Sequence, residues 1–237
     1  MSITWTPAEV GRLRKLYNSK PRPKYATMAQ LLGRSTDSIR NKIFTLRKES
    51  RNDWLDEERI AFFDIETSHL KANIGNMISW AIKPLGGKTK FAAWTRKEAI
   101  NWNKMDRRIM KELIEELKKY DLLVTYYGTN FDMKFIRTRA MILGLPGFPE
   151  YGTIKHFDAY YAVKRTMALY SNRLAVATQA LGIEGKTPLP PAVWGKARLG
   201  YTDVMKDVKE HNVEDVKILE ELYKELLPYI QITRKGI

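Results

Sequence analysis

Cysteine is absent from the 237 residues, which excludes disulfides, thiolate catalysis, Cys-ligated zinc and iron–sulfur clusters. Histidine occurs only as His69, His156 and His211, too few for a His-rich metal site. No apolar run approaches the ~18 residues that a membrane span requires. Met1 to Leu16 carries charges and has no signal-peptide core. Acidic residues are in deficit, 27 against 41 Lys and Arg, so the formal net charge is +14. An excess of that size points to a polyanionic partner, nucleic acid first. What is present is ordinary: apolar residues make up 44% and charged residues 29%, enough to bury a sizeable core. The expectation is a soluble protein with no membrane partner, cytoplasmic in the sense of an intracellular, nucleoid-associated or viral protein.

The charge is uneven. Residues 1–52 hold 12 basic and 3 acidic residues, whereas the remainder is nearly balanced. A small basic domain, 1–52, is therefore expected ahead of a larger one, 53–237, with the boundary in the polar stretch Lys48 to Asp53. The first domain reads as three short helices. Thr6-Pro7 with Glu9 is a helix start, followed by Val10, Leu13 and Leu16 at helical spacing. Pro21 and Pro23 break the chain before a helix from Ala26 to Leu32, which Gly33 stops. Ser35 or Thr36 caps a third helix with Ile39, Ile43 and Leu46 on one face. Three helices with a tight Gly-containing turn before a basic third helix suggest a helix-turn-helix.

Trp5-Thr6-Pro7-Ala8-Glu9, Tyr25, and Gly33-Arg34-Ser35 through Ile39-Arg40-Asn41-Lys42 resemble a Myb/SANT-like repeat. Trp5 and Tyr25 match the first two of that family's three core aromatics, and Ile43 stands where the third would be. The resemblance implies that Arg40 and Asn41 face the DNA major groove, with Phe44 or Thr45 beside them and Arg34, Arg47 and Lys48 as further DNA-binding residues. Arg reads guanine and Asn reads adenine, so the residue types suit that task. The other reading is a basic three-helix module that binds protein.

The second domain alternates strand and helix patterns. Ile60 to Ile65, Met77 to Ile82, Thr89 to Trp94 and Leu122 to Tyr126 read as strands, with Gly86-Gly87 turning a hairpin. Met105 to Tyr120, Phe131 to Leu143 and Val204 to Leu227 read as helices. The fold class expected is α/β: a ribonuclease H-like mixed sheet flanked by helices, plus the small three-helix domain.

Four carboxylates punctuate these elements. Asp64 and Glu66 alternate on the first strand, so both project from one face. Asp132 follows a buried strand in Gly128-Thr129-Asn130-Phe131-Asp132, and Asp215 lies four residues after His211 on the last helix. Four clustered carboxylates repel unless divalent cations lie between them, and hard oxygen ligands suit magnesium or manganese. Any one element alone is weak, because an acid after a strand commonly caps a helix.

In order and spacing the set resembles the three motifs of the DEDD superfamily of 3′–5′ exonucleases, over Ile60 to about Tyr229. Tyr126-Tyr127-Gly128-Thr129-Asn130-Phe131-Asp132 is most similar to the second motif of family B DNA polymerase proofreading domains and YprB-like nucleases. Phe157-Asp158, Leu174 to Leu181 and Lys186 fit their intervening segment. The resemblance implies two-metal phosphodiester hydrolysis with two Mg²⁺ or Mn²⁺ ions. Asp64 would bridge them, Glu66 and Asp215 would complete one, and Asp132 would help hold the other. Thr67, Asn130 and Phe131 would contact the terminal nucleotide, although Phe131 reads equally as a core residue.

One departure stands out. The superfamily pairs its last Asp with Tyr four residues before it or His five before it, and here His211 occupies the Tyr spacing. His211 reads either as general base or water-orienting group, or as a helical His without a role; His69 and His156 read as structural or surface residues. The function expected is a metal-dependent 3′–5′ exonuclease on DNA, taking a single-stranded 3′ end at the nuclease site and duplex at the first domain, with replication or repair proteins as partners. The rivals are a regulatory DNA-binding protein with a vestigial nuclease fold, and a nuclease for RNA or structured junctions.

Overall fold

The computed structural model describes residues 4–19, 21–49, 58–101, 104–185, 188–230 and 235–236, without the side chains of Phe44, residues 47–49 and residues 235–236. The chain divides into two compact units, Met1–Glu58 and Arg59–Ile237. The boundary expected at 52/53 falls within 50–57, outside the described residues.

In the first unit, helices α1 (Pro7–Asn18), α2 (Tyr25–Leu32) and α3 (Thr36–Glu49) follow one another. The Thr6 side chain accepts from the Glu9 amide while Glu9 reaches back to the Thr6 amide, a reciprocal cap with Pro7 in the first turn. Gly33 ends α2 with φ of 62°, a left-handed conformation that glycine adopts without a Cβ clash. Leu13, Tyr17, Met28, Ile39, Ile43 and Leu46 are buried together, and Trp5 and Tyr25 pack against them.

The second unit is built on a six-stranded sheet of order β3-β2-β1-β4-β5-β6. The strands are β1 (Ile60–Thr67), β2 (Met77–Pro84), β3 (Lys90–Ala93), β4 (Leu122–Thr125), β5 (Lys155–Asp158) and β6 (Lys235–Gly236). Helices α4 (Arg96–Ala99), α5 (Arg107–Leu117), α6 (Asp132–Ile142), α7 (Ala159–Thr166), α8 (Leu174–Ala180), α9 (Pro191–Ala197) and α10 (Thr202–Leu226) complete it. β1 pairs antiparallel with β2 and parallel with β4, and β5 pairs parallel with β4. The sheet is mixed and flanked by helices, as the sequence leads one to expect.

Strand period sorts the core. Ala61, Phe63 and Ile65 join Ile109, Met110 and Leu113 of α5 on one side. Phe62 joins Val216, Leu219, Leu222 and Tyr223 of α10 on the other. Asp64 and Glu66 therefore point to the α10 side. Burying a side chain the size of Phe62 stabilises by ~1.5–3 kcal/mol, and this packing seats α10 across the carboxylates. Among the described residues, no helix is long and apolar enough to cross a membrane.

Candidate active site

The site begins where β1 stops being apolar. Asp64 pairs with Ala81 and Glu66 with Ser79 across β1 and β2, and a register shift follows between Glu66 and Thr67. Asp64 Oδ2 accepts from Asn212 Nδ2 at 2.6 Å, and Asn212 Oδ1 accepts from Ser79 Oγ at 3.0 Å. Asn212 is fully buried. It fixes the Asp64 carboxylate to the helix that carries the last acid.

One residue earlier on α10, His211 Nε2 lies 3.6 Å from Glu66 Oε1. The Trp194 ring of α9 meets the His211 ring edge-on at 5.5 Å between centroids. Glu66, His211 and Asp215 offer ligand atoms that all lie within 4.8 Å of one another. Two carboxylates and an imidazole at that separation fit a divalent cation.

Asp132 opens α6 and is buried, with Oδ1 accepting from the Ile65 amide at 3.2 Å. Burial first, then the negative charges of Asp158 and Asp215, push its carboxyl up to about 7. A carboxyl driven toward its neutral form among other acids regains its charge when a cation arrives. This group thus also fits a cation nearby.

The loop before Asp132 is held tightly. A Cβ on Gly128 would lie 2.1 Å from Thr125 Oγ1, so only glycine lets the chain pass there. Tyr127 has a φ of 66°, rare for a residue with a side chain. Asp158 holds this conformation by accepting from the Tyr127 amide at 2.7 Å and the Thr129 amide at 2.9 Å, while capping α7 through the Tyr160 amide.

The sequence profile of the RNase H superfamily matches residues 61–227. The chain belongs to the RNase H superfamily. Of this chain's residues, 73% align with the DNA polymerase of Thermococcus hydrothermalis at 28% identity, covering 12% of that protein. The DNA polymerase of Methanocaldococcus jannaschii aligns over 53% of the chain at 26% identity, covering 9% of that protein. The chain thus spans about a tenth of the length of each of these two relatives. In structure, the family B DNA polymerase of Pyrobaculum calidifontis superposes with a TM-score of 0.59 at 17% identity, over 75% of this chain and 25% of that one. The curated relatives are DNA polymerases, as the motifs lead one to expect, and the likeness to the family B polymerase structure is one of fold. The superfamily profile starts beyond the Met1–Glu58 unit, so the helix-turn-helix reading rests on that unit's own residues.

Within this RNase H-superfamily domain, the structure brings Glu66, His211 and Asp215 together, ties Asp64 to them through Asn212, and sets Asp132 within the field of Asp215. Thr67 is half-buried at the bulge, and Phe131 packs partly against the core and 5.7 Å from the Phe135 ring. Asn130 Nδ2 donates to the Tyr161 hydroxyl at 2.5 Å. His69 is exposed, its Nδ1 accepting from the Lys71 amide. His156 Nε2 meets Thr125 Oγ1 at 2.8 Å, and burial pushes its pKa down. Both histidines lie outside the cluster.

In the first unit, Arg40, Asn41 and Thr45 are exposed on α3. Arg40 contacts Asp37 at 3.2 Å, and Thr45 Oγ1 donates to the Asn41 carbonyl. Arg34 has another occupation: its side chain is 8% exposed and ion-paired with Glu9 at 2.7 Å. The Thr6 amide first, then Arg34, lowers the Glu9 carboxyl to about 2. The side chains of Phe44, Arg47 and Lys48 lie outside the described residues.

The sequence patterns single out neither Asn212 nor Trp194, and Asp158 only as part of the intervening segment. Asn212 carried a signal, as a polar residue on a helix face otherwise made of Val208, Val216 and Leu219. Asp158 carried one as well, closing a strand just before a helix. Trp194 carried none, because its partner lies in another helix.

Proposed function

We propose that the chain is a metal-dependent 3′–5′ exonuclease that hydrolyses DNA, with Met1–Glu58 as its DNA-binding module. Superfamily membership and kinship with DNA polymerases support nuclease chemistry on a nucleic acid. The observation that carries the reading is the convergence of Glu66, His211 and Asp215 within 4.8 Å, from a strand and a helix far apart in sequence, beside a buried Asp132.

Asp64, Glu66, Asp132 and Asp215 are the residues that would hold two Mg²⁺ or Mn²⁺ ions. Bound there, such ions acidify water and stabilise charge on the attacking and leaving oxygens of a phosphodiester. Asn212 orients Asp64, so that carboxylate is preorganised. Trp194 restrains the imidazole of His211, which is suited to orient the attacking water or to take its proton at Nε2. Asn130 and Phe131 flank the N-terminus of α6, where they would hold the terminal nucleotide, and the Thr67 backbone would meet it from β1. Asp158 keeps that loop in place. On α3, Arg40, Asn41 and Thr45 form an exposed polar face of the size that a major groove accepts.

The test is digestion of end-labelled single- and double-stranded DNA and of RNA with magnesium or manganese. DNA should shorten stepwise from its 3′ end in the wild type, and not with Asp64→Ala. Absence of cleavage on every substrate by folded protein would make the fold a vestigial one.

A further inference from the structure

Next to Asp132 lies a group of aromatic rings that the acidic site does not use. Tyr127 and Tyr161 are exposed, 44% and 43% respectively. Between them stands Tyr160, whose ring lies 4.8 Å from Tyr127 and 5.2 Å from Tyr161. Tyr126, 5.9 Å from Tyr160, anchors the group by donating its hydroxyl to the Asn172 carbonyl at 2.6 Å. These contacts tie the Tyr126–Tyr127 loop to α7 and to the loop before α8. The group is therefore rigid.

Two further features point to what it takes. The first is the backbone of Tyr127. At φ of 66° a residue with a side chain costs of order 1–3 kcal/mol and persists where the surroundings impose it. Asp158 imposes it here, through the Tyr127 and Thr129 amides. A glycine would adopt the same backbone freely, yet the chain keeps an exposed ring at this position.

The second feature is charge. Lys164 and Arg165 are exposed on α7, three and four residues beyond Tyr161 and so on its face. Lys134, exposed on α6, donates to Asn130 Oδ1 at 3.3 Å, and Asn130 in turn donates to the Tyr161 hydroxyl at 2.5 Å. Rigid exposed rings flanked by cations are what an unpaired strand requires. Each base has a face that stacks on an aromatic ring, and each phosphate takes a cation.

We infer that Tyr127 and Tyr161 form a stacking platform for bases of a single-stranded nucleic acid at its 3′ end, with Lys134, Lys164 and Arg165 along the phosphates. This rests on the nuclease reading for its direction, because Phe131 and Asp132 follow Tyr127 by four and five residues and lead the strand into the acidic site. The rings read no sequence, so the platform accepts any base.

The test uses the full chain and a single-stranded DNA oligonucleotide with 2-aminopurine near its 3′ end. EDTA is present to prevent cleavage. Wild-type protein should bind the strand and change the fluorescence of the probe. Tyr161→Ala and Tyr127→Gly should each weaken binding about 5- to 100-fold, the range of one lost base stack, and should return the probe to its free signal. Tyr127→Gly suits the φ of 66°, so it removes the ring without straining the backbone. Tyr161→Phe keeps the stacking face and should bind within about threefold of wild type.

Manganese binding by calorimetry should match wild type in all three variants. If the Tyr161→Ala and Tyr127→Gly proteins bind as wild type does, with the same probe signal, the platform is refuted. The same holds if wild type binds no single strand. Probe changes in the wild type without cleavage in manganese would sink the nuclease reading and leave the platform standing. Cleavage with unchanged KM in both ring-removal variants would do the reverse.

Discussion

Replacing Asp132 with asparagine removes a charge that the fold holds at a cost. The carboxyl is moved from 3.8 to about 7, by burial first and then by Asp158 and Asp215. Below pH 3.8 it is neutral in the folded and unfolded chain alike, and the stability it allows is fully present. As pH rises the unfolded chain ionises first, so stability is lost, and the loss is complete once pH passes about 7. At ~1.36 kcal/mol per pH unit between the two values, the ceiling on that loss is ~4 kcal/mol. Asparagine keeps an oxygen for the Ile65 amide but is itself polar and buried, so about half, ~2 kcal/mol, should be recovered. For a domain of this size that is a rise in Tm of ~4–8 °C.

Thermal unfolding of both proteins in EDTA, followed by circular dichroism, should show this gain above about pH 8 and its disappearance near about pH 4, the window that the Asp132 titration sets. Manganese should invert the order, because cation binding stabilises the folded wild type by mass action and the variant lacks a ligand. An Asp132→Asn protein less stable than wild type at the higher pH without metal would refute the reasoning. So would a difference that ignores pH.

Gly128→Ala should lower stability by ~1–3 kcal/mol and activity with it, because the added methyl meets Thr125 at 2.1 Å; wild-type melting and rates would contradict the loop argument. His211→Ala should lower the cleavage rate ~10²–10⁴-fold, the contribution of a positioned acid–base group, while His211→Tyr keeps appreciable activity. Rates for His211→Ala close to wild type would make this histidine a bystander. Removing residues 1–58 should leave metal-dependent cleavage intact while weakening duplex binding and flattening its salt dependence, since released counterions drive that binding. Unchanged duplex affinity would turn the module toward a protein partner.

The parts of this site that depend on local period were legible. Alternation along β1 put Asp64 and Glu66 on one face, and helical spacing put His211 on the side of Asp215; the structure extends these elements only to Thr67 and back to Thr202. The apolar stripe of α5 and the cap of α1 are likewise written in short stretches of sequence. What escaped depends on contacts between distant residues. β5 is four residues long and apolar only at Phe157, and it is a strand because β4 and β6 take up its backbone on either side. Ser79, Asn212 and Asp64 form one chain of hydrogen bonds across three elements, and no spacing announces it. Arg34, basic and next to Gly33, reads as a DNA contact until Glu9 is seen to hold it. The strain at Tyr127 follows from Asp158, 31 residues away.

That the acids on β1, at the start of α6 and midway along α10 form one cation centre is most directly tested by a crystal of the full chain soaked in manganese chloride. Anomalous density bounded by Asp64, Glu66 and Asp215, with a second peak toward Asp132, is the result this geometry predicts. Density confined to surface carboxylates such as Glu112 or Glu214, with the interior cluster empty at saturating manganese, would contradict it.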